Sequence, residues 1–162
     1  MALTTAQSTT LAAHIRASAD GDVIAALAIR NDTEMARLYN LETSFVAWKP
    51  SVTVEEIGDA FDYEEVANKT SGDNERLQVF RAYNQDSIDP SRADIREFFD
   101  DVFSAAGGVN TRAALALLWV RLVSVTEEIF ATAPDEEGDP GTLVFAGTIS
   151  GNDVSTALNN NP

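Results

Sequence analysis

The spacing of apolar and polar positions along the chain predicts short helices over most of its length. Several helix starts show a Ser, Thr or Asn followed three residues later by an acidic or amide side chain, the pattern of a capping box. Four such pairs are Thr4 with Gln7, Asn31 with Glu34, Thr53 with Glu56, and Ser150 with Asp153. A further helix is expected over residues 71–83, where Leu77 and Phe80 lie on one apolar face.

Two longer apolar stripes predict the centre of the fold. Asp89 is expected to cap a helix over residues 89–103, and Asn110 to cap a second over residues 111–131. The second stripe keeps helical spacing through its whole length. The glycine pair at 107–108 leaves only a short connection, so the two helices are expected to pack as an antiparallel hairpin.

The character of the sequence changes at residue 134. Residues 134–141 are acidic and contain two prolines and two glycines, which is typical of a linker. Residues 142–149 give the clearest strand pattern in the chain, and a short helix with Val154 and Leu158 follows. The predicted organisation is a helical body over residues 1–133, a linker over 134–141 and a C-terminal segment over 142–162. The expected fold class is mainly α, a compact helical bundle with a C-terminal extension containing one or two short β-strands.

The C-terminal segment is interpreted as a docking arm. A strand without a neighbour leaves backbone donors and acceptors unpaired, and the helical body offers only the short stretch 45–48, which Pro50 closes. The strand is therefore expected to pair with a second chain, and deletion of residues 134–162 to leave a folded body that no longer assembles. The residues expected to bind the partner are Leu143, Val144, Phe145, Ile149, Val154 and Leu158.

Charge and composition exclude several function classes. The chain has 26 acidic and 11 basic residues, a formal net charge of -15, one histidine and no cysteine. Without cysteine there is no disulfide or thiolate metal site, and His14 alone cannot complete a catalytic or metal-binding group. The acidic stretch 135–139 lacks the spacing of a calcium loop. We therefore expect no enzyme activity, no metal and no cofactor.

The same acidity argues against specific binding of nucleic acid, because affinity for a phosphate backbone comes from Lys and Arg. After Arg121 the chain has no basic residue at all. No apolar run approaches the roughly 18–20 residues of a membrane span, and the first residues lack the features of a signal peptide. The expectation is a soluble domain made in the cytoplasm, with neither a membrane nor a nucleic acid as its specific partner.

Four segments carry a resemblance to a family of small tailed-bacteriophage virion proteins. They are VAWKPSVTVEEI at 46–57, IDPSRADIR at 88–96, NTRAAL at 110–115 and TLVFAGTIS at 142–150. Residues 3–7 and 12–15 match the usual start of the family more loosely. The resemblance implies phage origin and a structural role, and it implies no catalytic residue.

The predicted plan also resembles that of head-to-tail adaptor, or connector, proteins. That resemblance implies a dodecameric ring beneath the portal that continues the DNA channel in the phage neck, after synthesis in the host cytoplasm. The implied partners are the portal protein, neighbouring copies of the chain and further tail or neck proteins, while DNA passes without specific binding. One alternative is a capsid decoration or tail structural protein. The other is an acidic DNA-mimic inhibitor, which would need paired rows of carboxylates on one face.

Overall fold

A computed structural model describes residues 3–84, 86–132 and 139–160 of the chain. The helices are α1 Thr5–Ala17, α2 Gly21–Ala28, α3 Asp32–Tyr39, α4 Val54–Asp59, α5 Tyr63–Ala67, α6 Ser71–Tyr83, α7 Ala93–Val102, α8 Val109–Leu118, α9 Val125–Phe130 and α10 Gly151–Asn160. The short strands are β1 Glu42–Trp48, β2 Val52–Thr53, β3 Ser87–Ile88, β4 Val120–Ser124, β5 Ala131–Thr132 and β6 Thr142–Leu143. They pair as β1 with β4, β2 with β3 and β5 with β6. The predicted mainly α fold class is confirmed.

The described residues form two compact units. Unit 1 is drawn from Met1–Ala47 and Leu122–Pro162, and unit 2 from Trp48–Arg121. The boundaries between the units fall within the sequence ranges of β1 and β4. The predicted organisation has one body over 1–133 and a separate segment over 142–162, whereas residues 142–160 lie within unit 1. Residues 134–138 of the expected linker lie outside the described residues.

The core of unit 1 is built by α1, α3 and α10. Their fully buried side chains include Leu11, Ile15, Met35, Tyr39 and Val154. Each helix begins where the sequence predicted it. Capping residues Thr4, Asn31 and Ser150 accept the backbone N–H of the residue three positions later, namely Gln7, Glu34 and Asp153.

The C-terminal segment is part of this core and is not a free arm. Its strand covers two residues instead of the predicted 142–149, and it pairs antiparallel with Ala131–Thr132 of the same chain. Gly141 donates its N–H to the carbonyl of Val46 at 2.9 Å, so the segment also touches β1. The expectation of a strand partner from a second chain is wrong, because β5 and β1 supply the missing hydrogen bonds.

Two polar side chains fix the turn that leads into α10. Asn40 donates from Nδ2 to the carbonyl of Ile149 at 2.8 Å and accepts the Ile149 N–H on Oδ1 at 3.0 Å. Glu127, which is 4% exposed, accepts the Gly147 N–H on Oε1 at 2.8 Å. A buried carboxylate is tolerated where N–H groups donate to it; here one donor is Gly147 of the C-terminal segment, and another is Ser124, whose N–H lies 3.0 Å from Oε2. That segment is therefore held by polar contacts as well as by packing.

Unit 2 is organised around the ring of Phe99, which is 1% exposed. Its centroid lies 5.0 Å from that of Phe80, 5.1 Å from Phe98 and 5.7 Å from Trp119. Phe61 packs on the same ring at 6.2 Å. Tilted and edge-to-face pairs of this kind add to the stabilisation from burial. The aromatic cluster therefore ties α6 and α7 to the end of α8.

The predicted long helix over 111–131 is wrong. The helix α8 ends at Leu118, the chain runs on as strand β4, and α9 begins at Val125. Backbone pairing decides this, since Lys49 donates its N–H to the carbonyl of Trp119 at 2.8 Å. The β-branched residues 120 and 123 of β4 favour the extended form.

The helix boundaries in unit 2 also differ from prediction. The helix α7 begins at Ala93, not at residue 89, because Asp89 accepts the Ser91 N–H and forms a turn. The start of α8 lies at Val109, so Asn110 is not its cap. The two helices do not form the predicted hairpin: α7 packs chiefly on α6, and α8 on α4.

Candidate protein-binding groove

A groove with a volume of about 590 Å³ opens in unit 2 between α4, α5 and α6. We call it the α4–α6 groove. Its most buried lining side chains are Ile57 and Phe99, which are 3% and 1% exposed. Half-buried apolar side chains complete the walls, namely Phe61, Val66, Leu77 and Phe80. The surface is mainly apolar, concave and open, as partner-binding surfaces of proteins often are.

The helix α6 forms one wall and, like α5, buries none of its side chains fully. Thr70 caps it, accepting the Asp73 N–H on Oγ1 at 3.1 Å. Its outward apolar residues Val79 and Tyr83 are 56% and 85% exposed. Its other flank lines a second groove of about 490 Å³ beside Phe98 of α7. Apolar surface therefore lies on both sides of one helix.

Charged groups border the apolar lining of the α4–α6 groove. Glu55 and Asp59 lie one turn apart on α4, and Arg81 lies on α6. All three are exposed. Within the part of the chain that the structure describes, none of the three side chains forms an ion pair or hydrogen bond. The groove thus offers two free carboxylates on one wall and a free guanidinium on the other.

The short helix α5 is fixed in place by a clasp on the first turn of α8. Glu65 accepts the N–H of Asn110 on Oε1 and the N–H of Thr111 on Oε2, both at 2.9 Å. Asp62 accepts from Nδ2 of Asn110 at 2.8 Å and donates its own N–H to Oγ1 of Thr111 at 3.1 Å. A carboxylate is favoured at a helix start, where N–H groups lack intrahelical partners. The clasp therefore positions the Tyr63 and Val66 wall of the groove.

This clasp makes the free energy of unfolding depend on pH in the acidic range. Hydrogen bonds from Asn110 and from the backbone lower the pKa of Asp62 below its usual 3.8. Burial acts to raise the pKa of Glu65, but the N–H groups of Thr111 and Asn110 outweigh it and hold that pKa below 4.5. Both carboxyl groups have a lower pKa in the folded protein than in the unfolded chain. The clasp therefore stabilises the fold fully when the pH is above the unfolded-state pKa values, and this stabilisation is lost as the pH falls through the folded-state pKa values.

We therefore expect the double variant Asp62→Asn, Glu65→Gln to lose less stability than the wild type between about pH 5 and pH 3. Urea denaturation followed by tryptophan fluorescence measures this. The variant Glu97→Gln, Asp100→Asn removes two exposed carboxylates of the same unit that make no such bonds, and it should keep the wild-type pH dependence. Equal pH dependence in both double variants would contradict the clasp.

The predicted partner-binding residues are placed mostly inside unit 1. The side chains buried in its core are Phe145, Ile149, Val154 and Leu158, at 5%, 4%, 0% and 3% exposure. Val144 is 65% exposed and Leu143 is half-buried. Binding of a partner by this segment stays a prediction, and in this conformation only Leu143 and Val144 present side chains to one.

The histidine has a structural contact. Nδ1 of His14 lies 2.9 Å from the hydroxyl of Tyr39, and the two rings meet edge-on at 5.6 Å. Burial, assisted by the charge of Asp20, raises the pKa of Tyr39 to about 12. Tyr39 therefore stays protonated at neutral pH, and its hydroxyl links α1 to α3.

Sequence reasoning missed the groove because it assigned Leu77 and Phe80 to an ordinary inward face. The informative signal was the spread of apolar residues around α6, where Val79 and Tyr83 lie outside that face.

In the described ranges no group of three or more His, Cys, Asp or Glu side chains is placed to hold a metal ion. Among the helices of those ranges, none is long and apolar enough to cross a membrane. Comparisons with models of protein families, with curated proteins and with solved structures find no significant match to this chain.

Proposed function

We propose that the protein is a structural protein of a tailed-phage virion, and more specifically a head-to-tail adaptor that forms a dodecameric ring beneath the portal. The observation that carries the structural role is the α4–α6 groove, an apolar surface with a charged rim on a unit that also exposes Tyr63 and Tyr83. Protein interfaces combine an apolar, aromatic centre with a polar rim. The resemblance of residues 46–57, 88–96, 110–115 and 142–150 supplies the phage setting.

The distribution of charge supports a position beside the DNA channel. Unit 1 carries 12 acidic and 3 basic residues, a balance of 3 - 12 = -9, and unit 2 carries 14 and 8, a balance of 8 - 14 = -6. Both units are thus acidic, and carboxylates repel phosphate over about a Debye length, roughly 8 Å at physiological salt. DNA can pass such a surface without adhering to it.

The use of the carboxylates favours this role over DNA mimicry. A mimic needs free carboxylates in rows that imitate phosphates, whereas many acids of this chain accept backbone N–H groups at helix starts. These acids are Asp20, Asp62, Glu56, Glu65, Glu127 and Asp153. They occur in both units, and each accepts an N–H group at the start of a helix, so these carboxylates are used for capping.

Quantitative mass spectrometry of purified particles of the source phage tests the proposal. An adaptor ring is expected at the same copy number as the portal protein, because both follow one rotational symmetry. A large excess over the portal protein would assign the chain to a capsid decoration or tail shell instead. Absence from the particle, with the protein present in infected cells, would overturn the structural role and favour an inhibitor.

A further inference from the structure

The free charges of the α4–α6 groove define the chemistry of its partner. We infer that the groove binds an amphipathic helix of another protein, with an apolar stripe and two Lys or Arg side chains one turn apart. This inference names the partner class for the surface used in the proposed function and rests on it.

The two carboxylates fix the spacing of the basic side chains. Glu55 and Asp59 are separated by four residues on α4, so they lie on one face, roughly 5–6 Å apart. Both are exposed and neither is engaged by another side chain in the described residues. Two basic side chains at positions i and i+4 of a partner helix have the same spacing, so both can form ion pairs with Glu55 and Asp59 at once.

The opposite wall gives the partner helix a direction. Arg81 of α6 faces the groove without an acidic partner among the described residues. A partner helix with an acidic or amide side chain on its other flank matches Arg81 while its basic pair meets Glu55 and Asp59. Turning the partner helix end for end keeps its apolar stripe in the groove but exchanges its two flanks. The acidic side chain would then meet Glu55 and Asp59, so charge selects one orientation.

The lining accounts for the apolar stripe. Ile57 and Phe99 lie deepest, and Leu77 and Phe80 project from α6 into the same space. A helix laid in a groove buries side chains at positions i, i+3 or i+4 and i+7 against such a surface. The half-buried state of Leu77 and Phe80 leaves apolar area that a partner can remove from water.

A second copy of this chain fits the groove less well. Its net charge of -15 opposes association with another acidic surface. Arg92 and Arg96 have the required spacing, but Arg92 is bound to Asp94 at 2.6 Å. Arg96 donates to the carbonyls of Pro90 and Ser91 and lies 4.2 Å from the centre of the Trp48 ring. Both guanidinium groups are therefore already engaged.

Fluorescence anisotropy with two labelled synthetic helices tests the inference on the full-length protein. One peptide carries a Leu stripe flanked by two Lys residues one turn apart, and the other has Glu at those two positions. The Lys peptide is expected to bind at least about tenfold more tightly than the Glu peptide, with an affinity that falls as salt is added. Amide shifts in the NMR spectrum of labelled protein should map to Ile57, Leu77 and Phe80.

A matched pair of protein variants locates the charge effect. The variant Glu55→Gln, Asp59→Asn should weaken the Lys peptide about tenfold. Glu97→Gln, Asp100→Asn changes the net charge equally outside the groove and should leave binding near that of the wild type. Tryptophan fluorescence confirms that both variants keep unit 2 folded.

The inference would be overturned by no binding of either peptide, by equal binding of both peptides, or by equal effects of the two double variants. Concentration-dependent self-association that shifts the same amides would also overturn it, because a second copy would then be the occupant. The particle measurement decides the proposed function independently, since copy number does not depend on which partner segment fills the groove.

Discussion

Removal of residues 139–162 is expected to unfold unit 1 while unit 2 stays folded. The deletion takes away α10, which packs against α1 and α3, and the core side chains Phe145, Ile149, Val154 and Leu158. Burial of one such side chain stabilises a protein by about 1.5–3 kcal/mol. The sum of four, about 6–12 kcal/mol, is comparable to the whole stability of a typical domain.

Two spectroscopic signals separate the units in this experiment. Both tryptophans, Trp48 and Trp119, lie in unit 2, so their emission reports on that unit alone. Circular dichroism should show a large loss of helix while the tryptophan emission stays native. Val144→Ser, at a 65% exposed position of the same segment, is the control and should change neither signal. Native helix content in the truncated protein would restore the docking-arm interpretation.

Phe99→Ala is expected to destabilise unit 2 by about 3–5 kcal/mol, as large-to-small changes in a packed core do. The ring is 1% exposed and contacts Phe61, Phe80, Phe98 and Trp119, so its removal leaves a cavity at the centre of the aromatic cluster. Urea denaturation followed by tryptophan emission measures the change in the free energy of unfolding.

Tyr83→Ala is the matched control for this prediction. It removes an aromatic ring of the same unit that is 85% exposed, and it should alter stability by no more than about 0.5 kcal/mol. An unchanged urea midpoint for Phe99→Ala would show that the aromatic cluster is not the stabilising centre of unit 2.

The elements that sequence reasoning predicted correctly are those whose causes lie within a few residues. Thr53 and Glu56 form the predicted capping box, with the Thr53 N–H donating to Glu56 at 2.8 Å. The helix α6 also has the predicted bounds, Ser71–Tyr83. Such patterns satisfy their own backbone groups locally, so they hold whatever the rest of the chain does.

The failures occurred where distant backbone decides the local structure. The stripe from Leu115 to Ile129 has helical spacing, yet pairing with β1 turns its middle into a strand. Residues 142–149 have the composition of a strand, but only residues 142–143 form one, and the side chains of Asn40 and Glu127 bind the backbone of Ile149 and Gly147. Neither partner is adjacent in sequence, so periodicity could not reveal it.

The candidate groove lay beyond sequence reasoning for a related reason. Its residues come from α4, α5, α6 and α7. The apolar pattern of a single helix does not show where that helix and its neighbours fail to pack closely. The clasp of Glu65 on the start of α8 joins residues more than forty positions apart. The sequence shows that α4 and α5 are acidic. Only the contacts in the structure show which of their carboxylates are free and which are hydrogen-bonded.

The division of the chain has a consequence for synthesis on the ribosome. Unit 2 is continuous in sequence, so it can fold once residue 121 has emerged, in keeping with the folding of domains during translation. Unit 1 receives α1, α2 and α3 first but obtains α10 only after about 110 further residues have been added. During that interval the faces of α1 and α3 that pack on α10 in the folded protein stay uncovered, and they expose apolar surface of the kind that chaperones bind.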